Sequence, residues 1–479
     1  MTILSLISKQ PPADGQKYVM LETLFKQAIS NGTLKPGEKL PPLRIAAWNA
    51  KCSLGTMSRV YTSLERKGLV SAEVGRGTFV QEKSKIGADI IFSRSVKTKA
   101  RAEVNDTTSI TPDIIDLGMN AITNEWGENL IRWALRRAAE KASSLTLMTY
   151  KDGFGDPSQK LLMRNFLPRS LQNTSDERTM INHGAQNGIF TALSRLTSPG
   201  DIVCIEPLSY PGISAAISQT GRSSVIVDMD SKGICPASFE KLCKEGRIRI
   251  LVTTATGHNP TCITTPLARR KIIGALAEKY NVLIAEDDIY GFLYPEAPAP
   301  YAALFPDNAI YLTSLAKRIT PSLRIGLAIA PPHITMLMAQ GITAQTWMVS
   351  PILVAAATEI SGRKDDLASI PKAVTTQAQE RGELTKNILG CKVKNIDTCR
   401  SHAWIELPPS ISADTFVKRA ELSGVHIMAG HRFANNSSAG RSNIRLSIMA
   451  PRQKMILKTA LVKLEAILST PNENPYELF

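Results

Sequence analysis

Five short apolar runs, Asp201–Ile205, Ser224–Val227, Ile248–Thr253, Val282–Ala285 and Ala309–Thr313, follow one another with a helix-length stretch between each pair. No other feature limits the fold as tightly. A strand that is apolar along its whole length has to be covered on both faces, and a parallel neighbour is reached only by a crossover long enough to hold a helix. The expected fold is therefore α/β, a doubly wound and mostly parallel sheet with helices on both sides. After about residue 385 the pattern changes to a smaller α+β unit, with strands near Ala403–Leu407 and Ile444–Ile448. A chain of 479 residues exceeds what one core serves, so two or three domains are expected.

The first 80 residues read differently. Tyr18, Leu21, Leu24, Phe25, Ala28 and Ile29 recur at helical spacing before Asn31-Gly32, and the prolines at 36 and 41 forbid continuation. A short helix is expected over Leu43–Ala50. Ser53 can cap another over Leu54–Lys67, with Met57, Val60, Tyr61 and Leu64 on its apolar face. Gly68 ends that helix, and Leu69-Val70 and Thr78-Phe79-Val80 read as strands joined by Gly75-Arg76-Gly77. A helix–turn–helix followed by a basic-tipped hairpin is a winged helix, mainly α. Charge agrees: residues 1–111 carry 17 Lys/Arg against 9 Asp/Glu, more than half of the net +15, which favours a polyanionic partner.

The pieces GTLKPGEKLP, Arg44, TMSRVYTSLERKGLV and GRGTFV together resemble the GntR-type DNA-binding domain, over residues 15–81. The resemblance implies double-stranded DNA as partner. It implies contacts from Arg44 and Arg59, a recognition helix starting at Thr56, and a wing tipped by Arg76 and Gly77. Arginines and a helix N-terminus suit phosphates and guanine edges. Leu54 stands where the family commonly has an arginine, which removes one backbone contact. Residues 82–111 show no sustained period and are rich in Lys, Ser and Thr. As a flexible linker they span roughly 30 Å.

The seven cysteines are odd in number, scattered and never spaced CxxC, so reduced thiols are expected, with neither a disulfide framework nor a metal site. No basic leader precedes an apolar core at the N-terminus, and no run of eighteen apolar residues occurs. A cytoplasmic protein without a membrane partner is expected.

Five separated segments carry the chemistry. Lys317 lies among small and hydroxyl residues, with Ser314 before it and Arg324 after it. Its amine suits a Schiff base with an aldehyde, with Ser314 and Arg324 placed to hold a phosphate; alone, the segment fits a surface lysine as well. Gly184-Ala185-Gln186 opens a helix whose exposed N–H groups make a phosphate seat. Tyr210 is an aromatic on a loop after a strand, able to stack on a flat ring. Asn259, before Pro260, has an amide free to donate to a phenolic oxygen. The strand Val282–Ala285 runs into Glu286-Asp287-Asp288-Ile289-Tyr290. A carboxylate there keeps a pyridine nitrogen protonated and so able to act as an electron sink. Arg445 is a lone arginine in the apolar strand Asn443–Ser447, and its fork suits a ligand carboxylate.

In order and spacing these segments resemble fold-type I aminotransferases over residues 112–470, with the small subdomain at about 385–470. The resemblance implies pyridoxal 5'-phosphate held on Lys317, with Asp287 at the ring nitrogen on the Asp-x-x-Tyr spacing; Asp288 remains the alternative. It implies Asn259 and Tyr290 at the ring oxygen, Tyr210 stacked, and Ser314, Arg324, Gly184, Ala185 and Gln186 on the phosphate. Tyr150 resembles a tyrosine that reaches the phosphate across a dimer interface.

A GntR-like head on an aminotransferase-like body resembles the MocR subfamily of transcriptional regulators. That likeness implies a homodimer in which formation of an external aldimine senses an amino acid, an amine or the cofactor itself. An active aminotransferase with an appended DNA-binding module is the competing reading, and a DNA-binding protein with a cofactor-free domain is a third.

Overall fold

The computed structural model describes residues 7, 17–35, 37–66, 69–73, 77–80, 114–123, 125–143, 147–246, 248–436 and 438–470. The chain divides into two compact units, Met1–Val104 and Asn105–Phe479. Arg76 and the linker at 82–111 lie outside the described residues.

In the first unit the helices Lys17–Ser30, Leu43–Asn49 and Leu54–Arg66 precede an antiparallel hairpin, Val70–Glu73 with Gly77–Val80. Phe25, Ala28, Ala46, Met57, Val60, Leu64, Val70 and Val80 bury one small core, with Phe25 edge-on to Tyr61 at 5.6 Å. The Ser53 hydroxyl accepts from the Thr56 amide at 3.1 Å, capping the third helix as its sequence directs. Leu40 donates its backbone N–H to the Thr78 carbonyl at 2.8 Å, which ties the proline turn to the hairpin.

The second unit is built on a seven-stranded sheet. Its order is Thr179–Asn182, Gly326–Ile329, Ala309–Ser314, Leu283–Asp287, Ile248–Thr253, Ile202–Ile205, Ser223–Ile226. The five strands read from the apolar runs are parallel to one another. Gly326–Ile329 runs antiparallel to both of its neighbours, so the sheet is mixed. Alternation explains the double burial. Cys204, Leu251, Ile284 and Tyr311 face one core with Phe239, Ile273 and Ile360; Val203, Val252, Ala285 and Ile310 face the other with Ile189, Ile213 and Met338.

The helix Lys364–Leu389 leads to a four-stranded antiparallel sheet, ordered Asn395–Thr398, Ala403–Glu406, Asn443–Leu446, Met428–Ala429, and flanked by the helices Ala413–Leu422 and Lys454–Ser469. The two strands read from sequence are present, and Asn395–Thr398 and Met428–Ala429 are additional. Ile115–Asp116 pairs in parallel with Val425–His426, so the start of the second unit belongs to this smaller subdomain. Among the described residues no helix is long and apolar enough to cross a membrane.

Candidate functional site

The parallel strands end together, and the residues that follow them converge. Leu283–Asp287 carries two adjacent buried carboxylates at its C-terminal end, Asp287 and Asp288. Strand alternation sends them to different neighbours. Asp287 interacts electrostatically with Lys317 and Glu206, whereas Asp288 meets Arg270, the Tyr311 hydroxyl and the Gly291 amide. Burial, with Asp288 and Glu206 nearby, pushes Asp287 up to about 7, while Lys317 opposes the rise. Burial likewise raises Asp288 to about 6, against Arg270. Each keeps one buried oxygen without a hydrogen-bond partner among the described residues.

Lys317 sits in the short helix Leu315–Arg318, whose first turn is capped by the Ser314 hydroxyl accepting from Ala316 at 3.2 Å. Its ammonium donates to the Asn120 carbonyl. Burial, together with the positive charges of Arg445 and Arg324, depresses the amine to about 8 against the opposing pull of Asp287.

The helix Ala185–Leu196 starts at Gly184, whose φ of 91° admits no ordinary side chain. A β-carbon there would stand 3.3 Å from the Ser314 hydroxyl and 3.5 Å from Nη2 of Arg324. The hollow bounded by these groups therefore depends on glycine. No side chain caps this helix, and among the described residues no acidic group ion-pairs with Arg324. The Gln186 side chain turns aside to donate to the Gly212 carbonyl at 2.8 Å. Tyr210, at the start of the helix Pro211–Gln219, has its phenol raised by burial and lies within electrostatic reach of Asp287, Arg324 and Arg445.

Arg445 projects from the central strand Asn443–Leu446 and is 4 % exposed. It donates to the Asn259 Oδ1 at 3.3 Å and to the Gly118 carbonyl, and its guanidinium lies 4.9 Å from the centre of the Phe433 ring. Among the described residues no carboxylate ion-pairs with it, and its Nε has no partner. Because guanidinium only donates, Asn259 must turn its oxygen to Arg445, which leaves its amide nitrogen free for another acceptor.

Sequence reading missed Asn120, which joins these groups. Its Nδ2 donates to the Tyr290 hydroxyl at 2.6 Å, its Oδ1 accepts from Ser447 at 3.1 Å, and its carbonyl takes Lys317. Glu206 was missed too. It accepts from Thr253 at 2.5 Å and faces His258 Nε2 at 3.3 Å, a buried polar pair behind Asp287. Tyr150 stands apart: it is 74 % exposed, and its ring lies 5.3 Å from that of Trp347. Cys262 and Cys399 are 137 positions apart in sequence, yet they meet beside His402, which spacing alone gave no reason to expect.

In the first unit Arg44 and Arg59 are exposed. Thr56 bonds Ser53 through its hydroxyl at 2.8 Å, and Gly77 takes a φ of 118° at the turn end of the hairpin, opposite Glu73.

Residues 17–80 match the bacterial regulatory proteins of the gntR family, and residues 112–463 match the aminotransferase class I and II family. The chain is 27% identical over 453 residues to the uncharacterized HTH-type transcriptional regulator YdeF of Bacillus subtilis, covering 94% of each. It is 25% identical over 472 residues to the HTH-type transcriptional regulator TauR of Rhodobacter capsulatus, covering 91% of this chain and 93% of the relative. In fold, the chain is similar to LysN, an α-aminoadipate aminotransferase of Thermus thermophilus solved with N-(5'-phosphopyridoxyl)-L-leucine. There the TM-score is 0.67 and the identity 21%, over 75% of this chain and 93% of that one.

The cofactor of this family is pyridoxal 5'-phosphate, and the residues fit it. An orphaned buried Asp287 oxygen suits a cationic ring nitrogen, and the glycine-dependent hollow beside Ser314 and Arg324 suits a phosphate. With a DNA-binding head and this body, the chain belongs to the aminotransferase class I and II family and, within it, to the MocR-type transcriptional regulators, which bind pyridoxal phosphate and DNA.

Proposed function

We propose that the pyridoxal-phosphate site senses an amino acid, an amine or the cofactor itself, and that its occupancy sets operator affinity. One observation supports this reading most: Arg445 is a buried cation near Lys317 with no carboxylate ion-paired to it among the described residues, Asp116 acting on it only through its field. A buried charge is costly unless met, so a ligand carboxylate at Arg445 is favoured.

When bound, the cofactor supplies an aldehyde for amine capture and an electron-withdrawing ring. The roles we assign to the protein follow from its own groups. Lys317, half-neutral near pH 8, holds the aldehyde carbon. Asp287 keeps the ring nitrogen protonated, and Asn259 and Tyr290 hold the ring oxygen. Tyr210 stacks on the ring, while Ser314, Arg324 and the amides of Gly184, Ala185 and Gln186 hold the phosphate. Asp287 is preferred to Asp288 because the latter already bonds Tyr311.

Arg44, Arg59 and the hairpin around Gly77 are proposed to contact DNA, with Arg76 at the wing. Residues 15–81, 82–111 and 112–470 are assigned as DNA-binding domain, linker and sensor, in a cytoplasmic homodimer. An exposed apolar patch of Leu147, Met148, Tyr150 and Trp347 supports a dimer face, where Tyr150 would serve the partner's site.

The test is to titrate holoprotein with a panel of amino acids and amines, following the cofactor's visible absorption and operator affinity together. A compound that changes the spectrum should change DNA binding at the same concentration. A second reading, an active transaminase, is favoured by the depressed Lys317 amine, which suits base chemistry. Fast turnover, with DNA affinity indifferent to the ligand, would decide for it.

A further inference from the structure

Outside the cofactor residues one cluster of reactive side chains has no assigned role. Cys262, Cys399 and His402 bring two sulfurs and an imidazole nitrogen within 4.8 Å of one another. They come from two subdomains. Cys262 follows Asn259-Pro260 on a large-domain loop, while Cys399 and His402 lie in the turn joining Asn395–Thr398 to Ala403–Glu406.

The imidazole is oriented by its surroundings. His402 Nε2 lies 3.0 Å from the Pro260 carbonyl, which can only accept, so Nε2 carries the proton. The lone pair is then on Nδ1, 3.3 Å from the Cys399 sulfur. Asn120 Nδ2, a pure donor, stands 3.4 Å from Nδ1 and agrees with that assignment. An imidazole whose far N–H is held by a backbone carbonyl is how proteins prepare a histidine as a metal ligand. The spacing agrees as well, since sulfur and nitrogen on a tetrahedral zinc, at about 2.3 and 2.0–2.1 Å, stand roughly 3.6 Å apart.

The cluster makes further polar contacts: the Cys262 thiol donates to Cys399, and the Trp404 backbone N–H donates to Cys262. Cys262 lies 3.9, 3.6 and 3.8 Å from the carbonyls of Pro260, Asp397 and His402. Cys399 lies 3.4 Å from the His402 carbonyl and 3.4 Å from the Ser401 hydroxyl, and that hydroxyl is 2.8 Å from Nδ1. Both cysteine residues are partly exposed, while their thiol groups are enclosed by the surrounding protein.

We propose that Cys262, Cys399 and His402 bind a thiophilic divalent cation of the zinc class, with water in the fourth position. Two thiolates and an imidazole are the soft and borderline donors such an ion selects. Binding releases both thiol protons, so affinity falls as pH falls. The ion would pin the Asn259 loop to the turn of the smaller subdomain, three residues from the Asn259 amide oxygen that accepts from Arg445.

The experiment uses full-length holoprotein, reduced with a phosphine, freed of metal by a chelator and titrated with cobalt(II). The expected result is one equivalent showing intense tetrahedral bands and thiolate charge transfer, displaced by zinc. Zinc should also protect Cys262 and Cys399, but not the exposed Cys391, from alkylation mapped by mass spectrometry. Cys262→Ser and Cys399→Ser should each lose the tetrahedral spectrum, and Cys391→Ser should keep it. Cobalt bands without thiolate character, or equal alkylation of the two thiols with and without zinc in the wild type, would overturn the proposal. The wild-type protection assay stands whether or not the serine variants fold.

Discussion

Arg445 donates to Oδ1 of Asn259 across 3.3 Å, a link between the smaller subdomain and a loop of the large one that contains no acidic group. The pair leaves a positive charge buried and the Asn259 amide free. Arg445→Ala should weaken the spectral response to a carboxylate-bearing effector by about 2–5 kcal/mol, the usual loss for a buried charged contact. Cofactor capture at Lys317 should survive. An unchanged titration curve would refute the role.

The pH dependence of cofactor uptake follows from Lys317. Its amine is lowered to about 8 by burial, Arg445 and Arg324, and only the neutral amine attacks an aldehyde. Uptake by apoprotein should therefore rise with pH up to about 8 and level off above it. Stopped-flow absorbance checks this, and a rate still climbing through pH 10 would contradict it. Borohydride reduction should fix the cofactor to Lys317, as peptide mapping would show.

Arg59, exposed on the helix Leu54–Arg66, should matter to operator binding. Arg59→Ala is expected to lose roughly 1–3 kcal/mol if the side chain reads a base. Wild-type affinity should fall as salt rises, because neutralised phosphates release counterions. Fluorescence anisotropy on operator and scrambled duplexes separates the two contributions. Equal loss on both would assign Arg59 to phosphate alone.

Coupling can be measured directly. If the cofactor site is the sensor, effector should shift operator affinity in wild type by about 5–150-fold, which is 1–3 kcal/mol. Lys317→Ala should abolish the shift while retaining basal DNA binding. An equal shift in both proteins would place the sensor elsewhere.

Stability of the second unit should hinge on a fully buried ion pair. Arg270 Nη1 meets Glu286 at 3.1 Å, both side chains at 0% exposure, and Arg270 also bonds the Ala255 carbonyl and the Thr256 hydroxyl. Arg270→Ala leaves Glu286 buried and unpaired, and is expected to destabilise by about 3–5 kcal/mol. The urea midpoint of apoprotein is the readout. A loss below 1 kcal/mol would mean that water replaces the guanidinium.

The five parallel strands were legible because residues buried on both faces leave continuous apolar runs. Thr179–Asn182 and Gly326–Ile329 were not read: the first has a polar residue at each end, and the second follows the Lys317 segment with no helix-length stretch between. Arg445 was noticed as a lone charge in an apolar strand, Lys317 by the small and hydroxyl residues around it, and Asp287 by the acidic run that ends a buried strand. Arg270 was hidden among the basic residues of the helix Leu267–Lys279, where a charge normally faces solvent. Asn120 was hidden because its backbone carbonyl and side-chain amide do the joining, and no motif marks it. The meeting of Cys262 with Cys399 is a product of tertiary folding, beyond the reach of spacing.

The strand at Ile115–Asp116 has a consequence for ligand binding. Within six residues the chain pairs with the smaller subdomain, offers the Gly118 carbonyl to Arg445, and presents Asn120 to Lys317 and Tyr290. Strand pairing and both pocket contacts thus fall on one short stretch of backbone. A ligand that takes over either cation would therefore compete with a backbone carbonyl of this one stretch, Gly118 at Arg445 or Asn120 at Lys317.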